Sequence, residues 1–180
     1  MTAHRSLSLF LIVLAAAAAS AAEPPTTFDW RSREFATADV LVGCGVAVVG
    51  HRADSHVTMM LSVLGREERH QRTELRLSAA RRVSGDLLGE TALAVLDGWV
   101  RTSSASSVGV LARAPESGNE YVATAPGLQS FADLFRGMRK DGAIIGVRLA
   151  DGERSDRPGP PPRKVADAVI ACVNRLVGAP

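Results

Sequence analysis

What this chain lacks narrows its chemistry first. It has two cysteines in 180 residues, Cys44 and Cys172, with no CxxC pair and no haem-attaching CxxCH. The paired-thiol signatures of metal, redox and haem sites are therefore missing. No GxSxG elbow and no Walker loop occur, which removes the usual marks of a hydrolase nucleophile and of a phosphate-binding loop. Gly43-Cys-Gly45-Val-Ala-Val48 fails the dinucleotide fingerprint, because Val48 stands where the third glycine belongs and the stretch reads as a strand interior. No cofactor is expected. Aromatic residues are only 4% of the chain, so Trp30, Trp99 and Tyr121 are expected in the core before a ligand groove. The formal charge is +2, short of the basic excess of a dedicated nucleic-acid binder. Only Lys140 and Lys164 are lysines, the other cations being arginine.

What is present begins with an export signal. Arg5 precedes an apolar run, Leu7 to Ala19 (LSLFLIVLAAAAA), and small residues follow to Ala22. This is the layout of a cleaved signal peptide over 1–22. The alternative, a retained anchor, is disfavoured because the run falls short of the roughly 20 residues that span a bilayer. No later segment is long and apolar enough to cross a membrane. The expected mature chain keeps a charge of +1, since residues 1–22 hold Arg5 and no acid. Its expected place is the periplasm or the medium, where thiols oxidise. A Cys44–Cys172 bridge would there close nearly the whole domain, worth about 4 to 5 kcal/mol in chain-entropy models. Two separate buried thiols are the alternative.

After a short lead-in (23–39), in which Phe28–Phe35 reads as an edge strand or a loop, residues 40–180 read as one α+β domain. Val40–Val49 (VLVGCGVAVV) is apolar on both faces, as a central covered strand is. Val57–Leu64 is the next strand. Arg72–Ser78 alternates, with Arg72, Glu74, Arg76 and Ser78 set to face water and Thr73, Leu75 and Leu77 to face inward. GREER between them is a charged turn, and Ser84–Gly89 a loop. Thr91–Arg101 permits strand or helix, with strand favoured. Val108–Arg113 and Tyr121–Thr124 suggest a hairpin around PESGN. Leu128, Phe131, Leu134, Phe135 and Met138 then recur at helical spacing, with Gly142 as the stop. Ala143–Leu149 is a strand, 151–163 a polar proline-rich loop, and Arg163–Val177 a helix with Val165, Val169, Cys172, Val173 and Leu176 on one face. The expected fold is an antiparallel sheet of about six to seven strands with two C-terminal helices packed on it.

One stretch concentrates chemistry: GHRADSH, residues 50–56. If one strand ends at His51 and the next begins at His56, the two imidazoles face each other, and with Asp54 they resemble part of a zinc or copper site. His70 is the further candidate ligand, if strand order allows. The bland alternative is a hairpin turn in which Asp54 and Ser55 bond the backbone. A hydrolytic triad drawn from serines, the histidines at 51, 56 or 70, and Asp54 or Asp86 carries almost no signal. No catalytic residue is assigned. Glu67 and Glu68 read as a solvated turn. The arginines at 66, 69, 72, 76, 81 and 82 are interleaved with acids and read as a solvated face.

SFADLFRGMRKDGAIIGVRL, a polar loop and KVADAVIACVNRL together resemble the C-terminal part of the invasion-associated locus B family of exported bacterial proteins. The resemblance spans about 50 residues, 128–177, and rests on pattern. PGLQ stands where that family's cysteine-bearing segment is expected. It implies a non-enzymatic periplasmic protein linked to the envelope or to host interaction, and it transfers no catalytic residue. The expected function is accordingly an exported protein that binds a protein or envelope component. A small metal-binding protein and an exported hydrolase are the alternatives.

Overall fold

The computed structural model describes residues 26–65, 70–83, 89–114 and 118–178. The segment 1–22 read as an export signal, residues 66–69 read as a charged turn, residues 84–88 with Asp86, and 115–117 of PESGN lie outside the described residues.

Four long strands form the body of the larger sheet: β1 (Thr27–Thr37), β2 (Val40–His51), β3 (Ser55–Leu64) and β4 (Arg72–Arg82). β5 (Glu90–Leu93) pairs with the far end of β4, while β7 (Ala112–Arg113) and β8 (Tyr121–Pro126) complete seven antiparallel strands in the order β1-β2-β3-β4-β8-β7. β6 (Asp97–Arg101), β9 (Ile144–Leu149) and β10 (Gly152–Asp156) form a second, three-stranded sheet. Two helices, α1 (Gln129–Asp141) and α2 (Arg163–Gly178), lie on the larger sheet, α2 against β1 and β2 and α1 against β3 and β4. The fold is α+β, mostly antiparallel sheet.

Register explains the core. Cys44, Val46 and Val48 on β2 stand opposite Val63, Leu61 and Met59 on β3, and these stand opposite Thr73, Leu75 and Leu77 on β4. All of them are buried. They form one face because side chains alternate along each strand. Phe131, Leu134, Phe135 and Met138 of α1 and Val169, Cys172 and Leu176 of α2 close over that face, as their helical spacing requires. Cys44 and Cys172 are joined in a disulfide, with Cα atoms 5.9 Å apart. The bridge ties the second strand to the last helix. Among the described residues, no helix is long and apolar enough to cross a membrane.

Four details depart from the pattern in the sequence. Thr91–Arg101 is not one strand: it is split between the two sheets as β5 and β6. The buried Val95, whose N–H donates to the Asn119 carbonyl, falls in the crossing between them. Residues 152–156 of the polar loop form a strand, paired with β9 from Gly152↔Leu149 to Asp156↔Ile145. An antiparallel ladder needs only backbone groups, so polar side chains do not forbid it. Only Ala112 and Arg113 of the 108–113 segment are strand. Glu74, set to face water, is 5% exposed. It lies between Arg76 Nε at 2.6 Å and Arg72 Nε at 3.8 Å, so its charge is paired. The hydrogen bond to Glu74 holds the Arg76 guanidinium above its ordinary pKa.

The helix ends are set across the fold. No side chain within α1 caps its start. Instead the Phe131 N–H donates to Thr73 Oγ1 at 3.1 Å, and that hydroxyl donates to the Gly127 carbonyl at 2.8 Å. A strand residue thus does the work of an N-cap. At the other end Gly142 has φ 80° and its N–H donates to the Met138 carbonyl. A Cβ there would lie 2.4 Å from the Pro158 carbonyl oxygen.

Candidate functional site

Two regions concentrate features a function could use. The first is GHRADSH. β2 ends at His51, β3 begins at Ser55, and His51 is the direct cross-strand partner of His56. Their ring centroids are 6.1 Å apart. The turn is closed by the Arg52 N–H donating to the Ser55 carbonyl at 2.8 Å. Asp54 turns away from the imidazoles: its Oδ1 accepts from Ser55 Oγ at 3.1 Å, and its carbonyl accepts from the Arg82 N–H at 2.8 Å. His56 has Glu90 3.7 Å from its Nδ1. His70 precedes β4 at the opposite end, whereas His56 pairs with Ala80. That separation is roughly 30 Å along an extended chain. Among the described residues, no three His, Cys, Asp or Glu side chains gather as a metal-ligand set. Ser55 Oγ, the nearest serine, serves Asp54 and accepts from Arg154, and neither His51 nor His56 is its hydrogen-bond partner.

The charges beside the turn join the two sheets. Arg52 Nη2 donates to Asp156 Oδ1 at 2.8 Å, and Asp156 is 5% exposed. Arg154 donates to Ser55 Oγ at 3.3 Å and to Asp151 at 3.0 Å, and Arg81 reaches the same Asp151 oxygen at 3.0 Å. Gly50 makes room: a Cβ there would stand 3.1 Å from Asp156 Oδ2. Three of these partners belong to the segment read as a polar loop, so the pattern could not foretell the cluster. Gly50 was the only signal, a small residue where another part of the chain comes close.

The second region is the groove between α1 and α2, of about 230 Å³. Phe131, Phe135 and Val169 form its floor, with the two phenyl rings stacked at 5.6 Å between centroids. Ile170 and Val173 line the α2 side and are only partly buried. Arg136, Arg139 and Asn174 stand at the rim, and among the described residues no carboxylate lines the groove. Arg136 pairs with Asp133 at 2.8 Å. The Gln129 amide, with help from Arg136, holds the Asp133 carboxyl below the usual carboxylate range. Arg139 has no ion pair among the described residues. The sequence pattern placed Phe131, Phe135, Val169 and Val173, though not Ile170, on the helices' core faces. It did not show that the two faces part enough to leave a cleft. Trp99 and Tyr121, expected in the core, are partly buried, each with an arginine over its ring, Arg101 and Arg113 respectively.

The chain matches no protein-family profile, no curated protein and no solved structure.

Proposed function

We propose that this is an exported, non-enzymatic binding protein of the periplasm or medium, which holds a protein partner in the groove between α1 and α2. The groove carries the reading. Its 230 Å³ is below the roughly 300–1,000 Å³ of small-molecule sites and suits one or two anchoring side chains of a larger partner. Its apolar walls ask for an apolar anchor. Its rim of Arg136 and Arg139, with no carboxylate among the lining residues, asks for acidic residues beside that anchor. The Cys44–Cys172 disulfide supports an oxidising compartment, as does the signal-like leader. The resemblance of residues 128–177 to the invasion-associated locus B family points the same way, towards an envelope or host-facing partner.

The test is a selection from a random peptide display library on the disulfide-bonded protein, followed by cross-linked capture from periplasm. The expected peptides join a Leu, Phe or Trp to Asp or Glu. Arg139→Glu is expected to weaken binding to them and to the captured partner by about tenfold or more, while His51→Ala leaves both intact. Peptides without that composition, or capture that survives Arg139→Glu and Ile170→Asp, would sink the proposal.

A further inference from the structure

A different cavity lies at the C-terminal end of α1. It holds about 380 Å³ between residues 101–103, the end of the helix and residues 157–159, and it shares no lining residue with the interhelical groove. Its size falls within the roughly 300–1,000 Å³ of small-molecule sites.

The walls are held before any ligand arrives. The Thr102 N–H donates to the Ala105 carbonyl at 2.7 Å, and the Thr102 hydroxyl accepts from the Ala105 N–H at 3.0 Å. Gly137 lets this turn lie against α1, since a Cβ there would stand 2.2 Å from Thr102 Oγ1. On the other side the Ala143 N–H donates to the Pro158 carbonyl at 3.0 Å.

Three charged side chains line the cavity: Arg101, Arg157 and Asp141. Among the described residues neither guanidinium meets a carboxylate. Arg101 lies over the Trp99 ring, 5.8 Å from its centroid. A guanidinium held over an aromatic ring can still present N–H donors to a planar acceptor. Asp141 accepts from Ser103 Oγ and lies 3.9 Å from Lys140 Nζ, both through Oδ2. Oδ1 carries no such bond among the described residues. The carbonyl end of α1, the negative pole of the helix, is on the same side as Asp141. The cavity thus has a cationic wall and an anionic corner. A simple anion would face Asp141 and the helix end, and a simple cation would face two arginines.

We infer that this cavity binds a small zwitterion of the α-amino acid type, its carboxylate on Arg101 and Arg157 and its ammonium group on Asp141 Oδ1. The site is independent of the protein-binding groove.

The test is calorimetric titration of the disulfide-bonded protein with free amino acids, their N-acetyl and carboxamide derivatives, and acetate. At least one free amino acid is expected to bind one to one. Blocking either end is expected to weaken it by about tenfold or more, since one of the two charge-assisted contacts is then lost. Arg157→Ala should abolish binding. Asp141→Asn should make the free and N-acetyl forms equal. Both positions are exposed, so the variants are expected to fold, and unchanged melting will check it. Silence across the free amino acids overturns the inference. So does an N-acetyl form or acetate that binds as tightly as the free amino acid, which would mean a plain anion site.

Discussion

The hairpin end of the large sheet and the groove between the helices contrast in a way that runs against the first impression. Residues 50–56 hold most of the chemistry a sequence reader looks for. In the fold the charges there are paired: Asp54 serves Ser55 and Arg82, Arg52 and Arg81 reach across to Asp156 and Asp151 beside the smaller sheet, and Arg154 of that sheet reaches back to Ser55. The groove has almost no reactive side chains, yet it leaves partly buried apolar surface and an arginine without an ionic partner among the described residues. Dense charge here marks a weld between two sheets. The groove proposed for a partner lies away from this weld, because paired charges have little left to offer a partner.

The contrast can be broken or sharpened by experiment. The largest effect belongs to neither region. Replacing Cys44 and Cys172 by alanine is expected to cost about 4 kcal/mol in denaturant unfolding, because the bridge closes a loop of 128 residues. A loss under about 1 kcal/mol would show that the two ends of the fold hold without it. Next comes the weld. Asp156→Ala leaves Arg52 without its carboxylate in a setting where Asp156 is 5% exposed. The expected loss is about 2 to 3 kcal/mol, below the roughly 3 to 5 kcal/mol for a fully buried pair because the arginine reaches water. Binding through the groove should be unchanged. If Asp156→Ala abolished partner binding in folded protein, the hairpin end would be a site and the contrast would fail.

Smaller in stability, though decisive for function, is Arg139→Glu. On an exposed helix position it should move unfolding by no more than about 0.5 kcal/mol, while partner affinity falls by about tenfold or more. The smallest effect is spectroscopic. Tyr121 is the only tyrosine. Burial, then the charge of Asp97, raises its phenol above the ordinary value of 10.0, with Arg113 opposing. A raised folded-state pKa means that the fold favours the neutral phenol. Its contribution is therefore complete below pH 10 and is lost as pH climbs through the higher folded value. The phenolate absorbance should appear at higher pH in the folded protein than in denaturant. Coincident curves would contradict the burial that causes the shift.

Particular residues show how much was legible. Leu75 and Leu77 on an alternating strand, and Phe131, Leu134, Phe135 and Met138 at helical spacing, were readable as core because periodicity assigns a face without knowledge of the partner. The opposition of His51 and His56 was readable for the same reason, since a short loop between two strands sets the register. Three other features were not readable. Glu74 is buried and paired with neighbouring arginines, against its own pattern. β10 pairs through its backbone with a side-chain composition typical of a loop. The cleft at Phe131, Phe135, Val169 and Ile170 depends on how far apart two helices come to rest.

Sequence alone determined which face of β4, α1 and α2 is apolar, where the two helices and the strands β2 to β4 run, where Gly142 stops α1, and that Cys172 faces the core. These are local matters of period, propensity and backbone freedom. Tertiary structure alone decided that Thr73, 58 residues from Phe131 along the chain, caps α1, that the 91–101 segment divides between two sheets, and that Asp156 meets Arg52 beneath Gly50. Each of these is a contact between segments distant in the chain. No local pattern encodes such a contact, because it exists only once the packing of the whole core has fixed where each segment lies.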